Sequence, residues 1–355
     1  MRFEAGFVRE FISAVEALDP HVRSVAEGVL SLQALVNLMQ QPVVTTPTAI
    51  ESPIGIIRCD ESFGAYASLG NKLLSDGTTA ICLLGGGTPR SGAPTDPMLR
   101  VPVLETNLIT MKLMNVVSPG SPLFVVVNPL HYNVFAEAFL GISAPGIDPT
   151  FVYQDLTYVL SPMNTLLMES DGFLEVDPQL LTLGTGNAAV ALSKSEHISD
   201  VKRVVFMNMN NIAARPIPEV VGYHVATGND VTCQVVDREN GDSGGSVMFA
   251  DGKLLVVEDA SVPGDVKLEC NLLNTNTFVV NTDILMNAHQ VPWRYERRVI
   301  DVNGSVKVVY RSNITQLFEH AEKVGYVHMP RDTYQPFRGD HDVQDVTRFM
   351  LARVL

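Results

Sequence analysis

The sequence predicts a mainly β chain: an antiparallel β-sandwich carrying helical extensions at both ends. Two observations predict it. Between residues 98 and 310, short runs rich in valine, phenylalanine, tyrosine and threonine alternate with clusters of Gly, Pro, Asn and Asp, with no long helical pattern between them. At either end, apolar residues instead recur at three- and four-residue steps.

The first helix rests on Phe3, Phe7, Val8, Phe11, Ile12, Val15 and Leu18, which form one apolar stripe. Asp19-Pro20 supplies an N-cap and a first-turn proline for a second helix reaching about Met39. Pro42, Pro47 and Pro53 then exclude a helix, so residues 41–58 read as an extended arm. A short helix is expected near Ser62–Leu74. The stretch GGGTPRSGAPTDP (Gly85–Pro97) lacks the GK[ST] ending of a phosphate-binding P-loop and reads as a loop only.

The expected strands are Arg100–Val117, Leu123–Asn128, Thr150–Leu160, Phe173–Val176, Arg203–Met209, Gly222–Val236, Ser246–Glu258, Thr277–Leu285 and Arg297–Tyr310. Helix returns at Ile314–Val324, capped by Asn313, and at Asp342–Arg353. This divides the chain into a helical and extended N-terminal region (1–97), a β-sandwich domain (98–310) and a helical tail (311–355).

Composition narrows the function classes. The chain has 355 residues, a net charge of −14 and 46% hydrophobic residues, so it is long enough for a core and too acidic overall to bind nucleic acid across its surface. Residues 291–355 hold ten basic and eight acidic side chains, so the acidity lies in the rest. Only 18% of residues are charged, against about 25% in an average soluble domain. Such a surface belongs either to a chain poorly soluble alone or to one covered by neighbours, and the strand pattern and terminal extensions favour neighbours. No apolar run is long enough to span a membrane, and the N-terminus lacks the basic and apolar regions of a signal peptide. The cysteines Cys59, Cys82, Cys233 and Cys270 form no CxxC pair and read as free thiols. The eight histidines show no metal-ligand spacing, so neither metal nor cofactor is expected.

Three strings could carry chemistry or recognition. Gly241-Asp242-Ser243-Gly244-Gly245 resembles the nucleophile box of chymotrypsin-like serine proteases. That resemblance implies Ser243 as nucleophile, His131 as base and Asp155 as the orienting acid, in the family's chain order. The plain alternative is a polar loop between two strands. Gly184-Thr185-Gly186-Asn187-Ala188-Ala189 matches a GxGxxA pattern but lacks a βαβ context, and reads as a turn capping a short helix. Arg338-Gly339-Asp340 resembles an integrin-binding loop, a candidate adhesion site.

The resemblance covering most of the chain is carried by SPLFVVVNPLHYNVFAEAFLG…DPTFVYQDLTYVLSPMNTLLMESDGFLEVDP (Ser121–Pro178). In order and pattern it is similar to the jelly-roll shell domain of coat proteins of non-enveloped icosahedral viruses. The resemblance implies a non-enzymatic capsid subunit that assembles with many copies of itself and with other virion proteins. It also implies synthesis in the host cytoplasm and a place in the virion. The basic arm with which many such coats bind their genome is absent.

Overall fold

The computed structural model describes residues 56–87, 100–104, 106–116, 120–140, 148–160, 176–250, 253–259, 271–302 and 305–354. The expected helices within 3–39, most of the arm at 41–58, and residues 88–97 of the glycine-rich loop lie outside these.

The chain enters through β1 (Ile56–Arg58), α1 (Ala67–Ser75) and β2 (Thr79–Leu84), then the two-residue strands β3 (Arg100–Val101) and β4 (Thr106–Asn107), and α2 (Leu108–Val116). There follow β5 (Leu123–Val127), α3 (Tyr132–Leu140), β6 (Pro149–Tyr153), β7 (Leu156–Leu160), β8 (Val176–Thr182), α4 (Thr185–Ser193) and β9 (Arg203–Asn208). Next come α5 (Pro218–Thr227), β10 (Val231–Asp237), the hairpin β11 (Gly245–Ala250) and β12 (Lys253–Glu258), and β13 (Leu272–Asn281). The chain closes with α6 (Thr282–Met286), the hairpin β14 (Glu296–Val302) and β15 (Ser305–Arg311), α7 (Leu317–His320), β16 (Val324–His328) and α8 (Val343–Val354).

One large sheet organises these elements in the order β1-β16-β10-β13-β9-β2-β5-β6, with the β11–β12 hairpin attached to β13. Along that eight-strand path five of the seven neighbouring pairs are parallel; the two antiparallel ones flank β13, the path's single reversed strand. A smaller antiparallel sheet, β14-β15-β7-β8, stands beside it. The large sheet takes β1 and β2 from before residue 98 and β16 from after residue 310.

Helices cover both faces. Ile81 and Leu83 of β2 pack with Leu108, Met111 and Val221 from α2 and α5 on one side. Ala80, Cys82 and Leu84 of the same strand pack with Ala188, Leu192 and Phe318 from α4 and α7 on the other. The fold is therefore a three-layer α/β/α architecture, and the expected antiparallel jelly-roll sandwich is overturned. The physical reason is visible in β2, TAICLL, where every residue is buried. A sandwich strand alternates buried and solvated residues, whereas a strand covered on both faces is apolar throughout and pairs in parallel through helical crossovers. Two of the expected strands contain such crossovers: Arg100–Val117 contains α2, and Gly222–Val236 begins inside α5. Pro218 at the first turn and Gly228, left-handed at φ 63°, bracket α5.

Cys59, Cys82 and Cys233 are free thiols, while Cys270 lies outside the described residues. Among the described residues no helix is long and apolar enough to cross a membrane.

Candidate functional site

From β2 the chain moves out to β5 and β6 on one side, then returns to lay β9 against the other side of β2. Connections leaving the carboxyl ends of β2 and β9 therefore diverge, and a crevice opens where they part. In open α/β sheets ligands bind at this topological switch point. Here it holds a cavity of about 160 Å³ whose walls include Gly85–Gly87 after β2 and Asn208–Asn210 at the end of β9.

The glycines are there for space. A Cβ on Gly86 would lie 1.7 Å from Oε1 of Gln154, and one on Gly85 would lie 2.8 Å from the Phe135 ring. Gln154 donates from Nε2 to the Gly184 carbonyl at 2.7 Å, while the Thr182 hydroxyl donates to the Gly86 carbonyl at 3.0 Å. The loop after β2 is thus tied to the turn that starts α4.

That turn is the GxGxxA string. Gly184 caps α4 with φ 93°, and a side chain there would meet the Ser312 carbonyl at 2.4 Å. Gly186 lies against the Trp293 ring and donates its N–H to the Ser312 carbonyl at 3.0 Å. Asn187 accepts from the Asp155 N–H at 2.7 Å and donates to the Asp155 carboxylate at 2.8 Å. Asp155 therefore holds the first turn of α4, with no bond to His131.

Beyond the switch point, Asn211 braces the loop following β9. Its Oδ1 accepts from the N–H groups of Ala213 and Gln335 at 3.2 and 3.0 Å. The side chain of Asn210 has no hydrogen-bond partner among the described residues, and Asn208 accepts only the Asn210 N–H at 3.4 Å. Arg311, at the end of β15, is the one charged side chain among the described lining residues. No cluster of three or more His, Cys, Asp or Glu suited to a metal occurs among the described residues.

The protease constellation does not assemble. His131 sits in the 3-10 turn after β5, where burial lowers its pKa and its ring has no hydrogen-bond partner among the described residues. Ser243 precedes β11, which attaches to β13; β5 and β13 lie three strand spacings apart, about 14 Å. The Ser243 hydroxyl accepts from Arg338 at 2.5 Å, and the Gly244 N–H, which an oxyanion hole would need free, donates to Asp259 at 3.2 Å. Arg238 also clamps this turn, pairing with Asp259 at 2.8 Å and donating to the Gly244 carbonyl at 3.1 Å. RENGDSGGS therefore links β10 to β11.

Arg338 of the Arg-Gly-Asp string reaches the Ser243 hydroxyl and carbonyl and the Tyr334 hydroxyl. Gly339 is buried, and the side chain of Asp340 lies outside the described residues. Ser243, Tyr334 and Arg338 line a wider groove of about 830 Å³. Much of its charge is internally paired, Arg331 with Glu239 and Asp242, and Arg348 with Asp345.

Sequence reasoning missed the crevice at the switch point. The available signal was an apolar run, Ala80–Leu84, followed by three consecutive glycines. A buried strand delivering a side-chain-free loop to its carboxyl end marks a place where a ligand can approach the backbone closely.

No protein-family model and no curated protein matches the chain. Solved structures do. A UDP-N-acetylglucosamine pyrophosphorylase from Trypanosoma brucei, in complex with an inhibitor, is similar with a TM-score of 0.73 at 14% identity, over 97% of this chain and 82% of that one. A putative UDP-N-acetylglucosamine pyrophosphorylase from Entamoeba histolytica gives a TM-score of 0.66 at 16% identity, over 81% of this chain and 84% of that one. A mutant UDP-glucose pyrophosphorylase from Leishmania major, in complex with UDP-glucose, gives 0.64 at 16% identity, over 97% and 79%. These neighbours overturn the coat-protein and serine-protease resemblances, and with them the capsid function, the non-enzymatic reading and the place in a virion. The chain has the fold that these UDP-sugar pyrophosphorylases share.

Proposed function

We propose that the protein is a nucleotidyltransferase of the UDP-sugar pyrophosphorylase type, working in the crevice between the carboxyl ends of β2 and β9. The observation that carries this reading is the place of that crevice: the switch point of a sheet shared with UDP-sugar pyrophosphorylases, bordered by a glycine run and unused amides.

The reaction moves a uridylyl group. An oxygen of pyrophosphate attacks the α-phosphorus of a UDP-sugar and forms a new P–O bond, giving UTP. The bond from that phosphorus to the bridging oxygen breaks, and the sugar leaves as its 1-phosphate. Such a transfer needs alignment and neutralisation of charge more than covalent help. Gly85–Gly87 allow a diphosphate to approach the backbone closely. Arg311 supplies positive charge at the wall. The Gln154–Gly184 and Asp155–Asn187 bonds keep the two walls in register.

Magnesium usually accompanies phosphoryl transfer, and proteins hold it through one or two carboxylates together with substrate phosphates. The described lining of this crevice offers amide oxygens and no carboxylate, so a cation held by these side chains alone does not fit it.

Incubating the protein with pyrophosphate and either UDP-glucose or UDP-N-acetylglucosamine, in magnesium buffer, tests the reading. UTP and the matching sugar 1-phosphate are expected by ion-exchange chromatography. Absence of UTP from both substrates, with folded protein, overturns it.

A further inference from the structure

We propose that Asn208 and Asn210 bind the ligand's phosphates directly, as hydrogen-bond donors, so that the described lining of the crevice takes a nucleoside diphosphate without itself holding a divalent cation. The proposal rests on the nucleotide reading above and names the groups that meet the phosphates.

Asn208 ends β9 beside Leu84 of β2 and Asn210 lies in the turn just beyond, and both line the crevice that the glycine run also borders. Their neighbour Asn211 is committed to bracing the loop, with Oδ1 accepting two backbone N–H groups. Asn208 and Asn210 carry no comparable load, since one uses only its Oδ1 and the other has no side-chain partner among the described residues. Two carboxamide NH2 groups are therefore unspent at the place where diverging strand ends open the sheet.

The chemistry of the side chains decides what they can do there. Carboxamide oxygens are neutral, and the affinity of an oxygen-lined site for a divalent cation rises with the charge of its ligands. Carboxamide nitrogens donate, and hydrogen bonds to charged acceptors are the strong ones. A carboxylate at either position would do the opposite, attracting the cation and repelling the phosphate. Asp155, next to the lining residue Gln154, has its carboxylate bonded to Asn187 at 2.8 Å. Positive charge comes from Arg311 on the same cavity.

The experiment uses the full chain with UDP as probe. Calorimetry is run in EDTA and in Mn2+, and electron paramagnetic resonance reads free Mn2+ in the absence of UDP. The proposal expects UDP affinity in EDTA within about threefold of that in Mn2+, and no loss of the free Mn2+ signal on adding protein alone. Asn208→Asp and Asn210→Asp, each checked for an unchanged melting temperature, are expected to weaken UDP in EDTA by about tenfold or more. Mn2+ is expected to restore part of that loss. Asn208→Asp keeps the oxygen that accepts the Asn210 N–H, and Asn210→Asp removes no intramolecular bond, so both variants are suited to fold. UDP binding only with Mn2+, Mn2+ binding to the chain alone, or full affinity of both variants in EDTA overturns this proposal and leaves the nucleotide reading standing. No UDP binding in either condition overturns both.

Discussion

The side-chain nitrogen of Lys112 donates to the carbonyl oxygen of Ala214 at 2.8 Å, from a site with no solvent exposure and no carboxylate partner among the described residues. This bond ties α2 to the loop that follows β9 and so supports the wall bearing Asn208 and Asn210. Burial lowers the pKa of this amine to about 7.

A stability consequence follows, with a definite sign. Unfolded, Lys112 keeps an ordinary pKa near 10.5, so between pH 7 and 10.5 the unfolded chain binds more protons than the folded one. Stability therefore rises with pH across that window, and the full penalty of burying the charge is present below about pH 7. Lys112→Met is expected to raise stability by about 1–3 kcal/mol at pH 6.5. Its advantage should shrink towards pH 10, where the amine is neutral in the folded protein and the bond to Ala214 counts in the wild type's favour. Urea unfolding at the two pH values checks it; equal shifts at both would count against the assignment.

His224 produces an acid limb. Its ring is buried between the Thr232 hydroxyl at 2.9 Å and Oδ1 of Asn281 at 3.0 Å, and burial lowers its pKa to about 4. Between pH 6.5 and 4 the unfolded histidine is protonated and the folded one is not, so stability falls as pH falls through that window. The contribution is at most about 1.4 kcal/mol per pH unit. His224→Gln is expected to flatten this limb relative to wild type, read as melting temperature against pH. Parallel profiles would refute the assignment.

The glycine run makes a steric prediction. Gly86→Ala places a methyl 1.7 Å from Oε1 of Gln154 and forces that side chain off Gly184. A loss of about 1–3 kcal/mol is expected. Adding Gln154→Ala should recover most of it, because the obstruction is one flexible side chain. A double variant no better than Gly86→Ala would place the strain in the backbone instead.

Arg238 and Asp259 make an energetic one. Their side chains are 11% and 14% exposed and 2.8 Å apart. Removing one partner strands the other, so Asp259→Ala is expected to cost about 3 kcal/mol. Arg238→Ala together with Asp259→Ala should cost less than the sum of the single changes, as chemical denaturation would reveal.

Several strands were legible because their apolar runs are long and bounded: Leu123–Val127 and Arg203–Asn208 fall within expected stretches. Their pairing was not legible. Neither run alternates, since each faces helices on both sides, and an apolar run of that length does not say whether its neighbour runs parallel. In α2, LITMKLMNV, nearly every turn is apolar and the amphipathic contrast is lost, which hid the helix; its one lysine is buried too. The crevice was illegible for a different reason. Gly85, Gln154, Asn208 and Arg311 are brought together from four distant parts of the chain, and glycines with neutral amides carry no motif. GDSGG carries one, and its groups are spent on bracing a turn.

The sheet's edge also sets a timetable for synthesis. In the large sheet β1 pairs only with β16, Ile56 lying opposite Tyr326 and Arg58 opposite His328. A strand made early on the ribosome must therefore wait for one made some 270 residues later, with an unpaired backbone edge in the interval. β10 waits for the same partner on one side. A chain cut short before residue 324 would keep the β2 and β9 ends of the crevice in its sequence and lose the strand that joins β1 to the rest. Such a fragment should be captured by chaperones or aggregate, and the arrival of β16 becomes the step that joins β1 and β10 into one sheet.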